Sequence, residues 1–112
     1  MIEKLVRDIP GQRIIAEGGD VRVAAPSELY RLLAAKLIEE AKEIADAIDR
    51  GHVPEMNALL VDRVLEEIAD VAEVFELLCQ ALGLSPSNVE RLRAAKRERK
   101  GGFDQRLVWR QP

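Results

Sequence analysis

An all-α fold is the class this sequence predicts, on three observations. Apolar residues make up 47% of the 112 residues but aromatics only 4%, so a core has to come from many short contacts of Leu, Ile, Val and Ala, a composition suited to packed helices. Two long stretches carry apolar residues at three- and four-residue steps, the period of a helix with one buried stripe. Serine, proline and glycine stand at the ends of these stretches, where helices start and stop.

The first stretch, AAPSELYRLLAAKLIEEAKEIADAIDRG, has Ser27 as N-cap after Pro26, Glu28 near the positive helix end and Gly51 as its stop. Leu29, Leu32, Leu33, Leu37, Ala41, Ile44 and Ile48 form its stripe. The second starts near Pro54 and runs to Gly83. At about eight turns it is too long for a chain of this size unless it packs along most of its course, so it needs partners on more than one side. A third, shorter helix opens with Ser85 as cap and Pro86 in the first turn, and breaks at the Gly101-Gly102 pair. The expected architecture is a bundle of two long antiparallel helices and a shorter third, with irregular tails. In the first tail a short apolar stretch and a proline precede Gly-Gly-Asp, which is either a turn or a helix stop. In the second, Leu107 to Trp109 alternates like a short strand. The tails are expected to contact each other or a second subunit.

The bulk numbers exclude several classes of function. The length suits one domain, spanning residues 1–112. Lys and Arg number 17 against 20 Asp and Glu, so the formal charge of −3 provides no basic field for a nucleic-acid polymer, and any polyanion site has to be local. The one cysteine, Cys79, permits neither an intramolecular disulfide nor a cysteine zinc site and reads as a buried structural thiol. The absence of a charged-then-apolar leader and of any apolar run of about 18 residues points away from export and membranes and makes the cytoplasm the expected location.

The chemistry lies in where the acids fall. Residues three or four apart share a helix face, so Glu40 and Glu43 project together from the first helix, and Glu67 and Asp70 from the second. Positions 60, 64, 67, 71, 74 and 78 read Leu, Val, Glu, Val, Val, Leu, so Glu67 interrupts an apolar row. Glu40 does the same in the row Leu33, Leu37, Glu40, Ile44, Ala47. Two buried, ionised and unpaired carboxylates cost several kcal/mol each, and no basic residue shares those rows. A bound cation resolves the conflict. The alternative, acids solvated on exposed faces or paired with Lys36, Lys42 or Arg63, suits Glu39, Glu66, Glu73 and Glu76 better than these two pairs. Four oxygen donors with no histidine or thiolate select a hard ion, Mg²⁺ or Mn²⁺. The single histidine, His52, falls in the inter-helix turn, away from either pair, which argues against a di-iron bundle.

The spacing of these acids carries a resemblance. EEAKE at 39–43, followed after 23 positions by EIAD at 67–70, is similar to the E-E-x-x-E and E-x-x-D signature of the MazG-like nucleoside triphosphate pyrophosphohydrolases. KLVRD at 4–8 and KGGFDQRLVW at 100–109 resemble the start and finish of their compact, phosphoribosyl-ATP pyrophosphohydrolase-like subgroup, so the likeness spans nearly the whole chain. The resemblance implies an oligomeric helical bundle, a homodimer or homotetramer, that cleaves a nucleotide between its α- and β-phosphates to a nucleoside monophosphate and pyrophosphate, as in clearing non-standard nucleotides. It implies Glu40, Glu43, Glu67 and Asp70 as ligands of Mg²⁺, with Glu39 orienting a ligand or the attacking water. Lys4 and Arg7 would contact phosphate; Lys96 and Lys100, beside Gly101 and Gly102 whose backbone N–H groups can approach an anion closely, either form a second phosphate contact or complement the negative end of the third helix. One departure stands out: the subgroup reads KLVRDKIP, whereas here Asp8 runs directly into Ile9-Pro10, one lysine fewer. Two other readings of the same chain are a phosphoribosyl-ATP pyrophosphohydrolase of histidine biosynthesis and a non-catalytic nucleotide-binding helical oligomer. Tyr30, Phe75, Phe103 and Trp109 are the aromatic side chains available for stacking on a base, with core packing the favoured role for Phe75.

Overall fold

The computed structural model describes residues 3–51 and 58–112. Four helices follow one another, α1 (Asp8–Ala16), α2 (Pro26–Gly51), α3 (Ala58–Leu82) and α4 (Pro86–Lys100), and no strand forms among the described residues. The all-α expectation holds. The start expected near Pro54 lies outside the described residues.

The apolar rows decide which helices meet. On α3 each position of the row Leu60, Val64, Glu67, Val71, Val74, Leu78 is partly shielded, and on α2 Leu33, Glu40 and Ala47 are buried. These rows face each other, and α2 with α3 forms the one extensive helix pair among the described residues. The pair is antiparallel: the Tyr30 hydroxyl, near the start of α2, donates to the carbonyl of Ala81, near the end of α3, at 3.1 Å. The buried apolar core is small, consisting of Leu32, Leu33, Ala47 and Cys79 among the described residues. Cys79 is therefore the buried thiol the sequence indicates. The Cα radius of gyration is 17.8 Å, against about 13 Å for a compact chain of this length.

Three local readings need correction. Pro26, and not the residue after Ser27, opens α2. Its fixed φ suits a first helical position, and the Glu28 carboxylate accepts from the Ala25 N–H at 3.4 Å, doing from within the first turn what a capping serine does from outside. The first tail is not irregular throughout, because α1 lies inside it. Pro10 falls in the first turn of α1, where its missing N–H has no helical partner to lose. The Gly-Gly-Asp run is a helix stop: Gly18 takes φ +85°, its N–H donates to the Ile15 carbonyl at 3.0 Å, and the Gly19 N–H donates to the Ile14 carbonyl at 2.8 Å. Leu107 to Trp109 forms no strand, since a lone extended segment has no neighbour for its backbone groups.

α4 begins as its sequence indicates, with Ser85 Oγ accepting from the Asn88 N–H at 3.2 Å and Pro86 in the first turn. It buries none of its residues. No hydrogen bond or ion pair joins the two tails among the described residues. The first reaches α2 and α3 through Lys4 and Arg7, while the second folds back on α4 through an ion pair between Arg97 and Asp104. Gly102 leaves room for that pair, because a Cβ there would meet the Arg97 guanidinium at 2.1 Å and displace it. None of the described helices is long and apolar enough to cross a membrane.

Candidate metal centre

Antiparallel packing brings the two acid pairs to one level of the hairpin. One carboxylate oxygen from each of Glu40, Glu43, Glu67 and Asp70 lies within 4.8 Å of the others. Glu40 is 7% exposed, whereas Glu43 faces solvent and Glu67 and Asp70 are half-buried. The decisive atoms are Glu40 Oε2 and Glu67 Oε2, both buried and neither with a hydrogen-bond partner. A buried carboxylate oxygen with no partner forfeits its hydration without return.

No basic residue lies on these rows themselves, but one reaches in from the edge. Lys36 precedes Glu40 by one helical turn, and its Nζ lies 3.1 Å from Glu40 Oε1 and 3.6 Å from Glu39 Oε1. It satisfies one oxygen of Glu40 and leaves the other, so the need for a cation is reduced and not removed. The signal was present in the sequence as an i,i+4 pair. Two further cations come from the segment around α1: Lys4 Nζ reaches Glu39 Oε1 at 3.1 Å, and an Arg7 Nη reaches Asp70 Oδ1 at 2.6 Å.

These contacts set the proton affinities. Burial pushes the Glu40 carboxyl above the usual carboxylate range, against the pull of Lys36, with Glu43 adding to the rise. The Glu43 carboxyl is also raised, first by the hydrogen bond it shares with Glu67 and then by burial. Glu39 is held below the usual range by Lys4, with Lys36 adding to the effect.

A cleft of about 290 Å³ opens over the cluster, with Lys4, Arg7 and Lys36 beside Glu40, Glu43 and Asp70, and Glu73 among its walls. A second of about 300 Å³ lies beside it, between Glu43, Asp46, Ala47, Arg63 and Glu67. Glu73, read from the sequence as a surface acid, is a wall residue, as is Asp46, which the sequence did not single out. Lys96, Lys100, Gly101 and Gly102 line neither of these two clefts. Of the aromatics, Tyr30 is tied to α3, Phe75 is exposed and not packed in the core as expected, and Phe103 and Trp109 project into solvent.

The donor set fits a hard divalent ion. Fold and site thus define a class: an all-helical protein with a four-carboxylate cluster across a helical hairpin. Comparison with family models, curated proteins and solved structures returns no match to this chain.

Proposed function

We propose that the chain is a Mg²⁺-dependent nucleotide pyrophosphohydrolase, with Mn²⁺ as an alternative ion, that cleaves between the α- and β-phosphates to release a nucleoside monophosphate and pyrophosphate. The observation that carries the metal is the pair of buried, unpartnered oxygens on Glu40 and Glu67, within a cluster of oxygen donors. The reaction rests on the resemblance of EEAKE, EIAD, KLVRD and KGGFDQRLVW to the MazG-like signature. Glu40, Glu43, Glu67 and Asp70 would hold the ion. When bound it would neutralise phosphate charge and polarise a phosphoryl oxygen.

The chain's own groups do the rest. Lys4, Arg7 and Lys36 line the same cleft as the acids, so phosphates entering it would meet cations beside the metal ligands. Glu39, ionised beside Lys4, stands next to Glu40, where it can orient a water. A cleft of this volume accommodates a phosphate chain better than a whole nucleotide, which leaves the nucleoside to a surface outside it. Such a surface fits a protein that acts as a homodimer or homotetramer.

A product assay tests the reading. Pyrophosphate should appear from some member of a panel of common, deoxy and damaged nucleoside triphosphates and phosphoribosyl-ATP in Mg²⁺, and should cease on adding EDTA. No metal-dependent release from any of them ends the proposal, and a preference for phosphoribosyl-ATP assigns the histidine-pathway substrate. Arg7→Ala should bind Mg²⁺ more tightly by calorimetry, because Asp70 loses its competitor, and yet turn over more slowly, because phosphate loses a contact. Unchanged metal affinity in that variant removes Arg7 from the site. Heating experiments give a third check. Carboxyls with raised proton affinity favour folding below their ordinary pKa and lose that contribution as pH rises, so the ion-free protein carries its greatest electrostatic burden near neutrality. Mg²⁺ should therefore raise Tm near pH 7.5 and progressively less towards pH 5, where protons compete at Glu40 and Glu43. A Tm increment independent of pH rules these carboxylates out as the ligands.

A further inference from the structure

α3 carries two apolar stripes, and α2 covers one of them. The second, Val61, Leu65, Ile68, Ala72 and Phe75, runs along the helix about a quarter turn away at alternating four- and three-residue steps, the spacing of a helix seam. It is open to solvent: Leu65 is 61% exposed and Ile68 49%. One edge of this stripe is acidic, with Asp62, Glu66 and Glu76 each following a stripe position by one residue and each exposed. Two copies of the stripe laid antiparallel, face to face, would set acids against acids, which disfavours that pairing.

The complement lies elsewhere in the same chain. α4 carries six Lys and Arg against two Glu and buries none of them. The segment after it presents Phe103, Leu107 and Trp109 to solvent, Trp109 at 78%. That segment is held in shape: the Gly101 N–H donates to the Arg97 carbonyl at 2.7 Å, Arg97 pairs with Asp104, and the Arg106 N–H donates to the Phe103 carbonyl at 3.1 Å. A turn ordered by its own polar contacts, with its apolar side chains left in water, is preorganised for a surface outside its own chain.

We propose that α4 and the turn after it dock on the exposed Val61–Phe75 stripe of α3 in a second copy of this chain, with Phe103 and Trp109 on the apolar stripe and the α4 cations along its acidic edge. Reciprocal docking closes a two-fold pair and buries the exposed side chains of both copies. This deepens the self-association part of the reading above by naming the surfaces, and it is independent of the metal.

Trp109 is the only tryptophan, so its emission reports the contact directly. The full chain should sediment as a dimer with blue-shifted Trp109 emission shielded from acrylamide. Dilution and added salt should reverse both. Leu65→Lys and Glu76→Lys, both at exposed positions, should each weaken association at least about tenfold with helical circular dichroism unchanged. A dimer whose Trp109 is fully quenchable, a monomer at every concentration, or undiminished association in both variants overturns the proposal. The Mg²⁺-induced Tm increment, measured on the same samples, separates the two readings. Retained in a monomer, it overturns this docking alone. Lost in an intact dimer with shielded Trp109, it overturns the metal site alone.

Discussion

Glu67→Gln is expected to cut metal-dependent pyrophosphate release at least about a hundredfold, since loss of residues that merely support metal ligands already costs roughly 10- to 100-fold in comparable sites. The change keeps the size of the side chain and removes its charge. In the ion-free protein the buried oxygen without a partner becomes part of a neutral amide, so the fold should be no less stable than the wild type. Activity and stability therefore separate. Equal activity in the two proteins, or a Glu67→Gln protein that still gains Tm from Mg²⁺ in full, would show that Glu67 holds no ion. A helical binding protein without catalysis predicts the same stability and no release from either form, so the wild-type assay distinguishes it.

The second large effect is on folding. Leu33 is 1% exposed and the largest wholly buried side chain among the described residues. Truncation to Ala should cost about 2–5 kcal/mol, from lost burial and from the cavity left behind. Domains commonly hold only about 5–15 kcal/mol in all, and this core has few other members to share the loss. Urea denaturation should show a much lower midpoint for Leu33→Ala with a similar slope. A shift below about 1 kcal/mol would mean that the α2–α3 interface contributes less than its burial implies.

How much of this was legible beforehand depended on whether the signal was local. The α2–α3 pairing was legible because its rows follow one helical period, and Glu40 and Glu67 stood out as acids within those rows. Lys36 is legible as an i,i+4 partner of Glu40, but at the edge of the Leu33–Leu37–Glu40 row its long side chain can turn either to Glu40 or to solvent, and spacing does not decide which. α1 was hidden by Pro10 and Gly11, residues that usually end a helix and here lie within its first turns. Gly11 is also buried, with Val6 beside it. The ion pairs that carry Lys4 to Glu39 and Arg7 to Asp70 span 35 and 63 residues, a separation no periodicity encodes. The alternation at Leu107–Trp109 is that of a strand, but strand formation depends on a partner edge, which lies outside the segment itself.

The ion pairs around the cluster lead to a stoichiometry. Lys4, Lys36 and Arg7 are distributed over Glu39, Glu40 and Asp70, cation for anion. Among the described residues no ion pair reaches Glu43 or Glu67. Their combined charge, when both are ionised, equals and opposes that of a single divalent ion. On the reading proposed above, one divalent ion bound there would neutralise the two acids that no cation reaches.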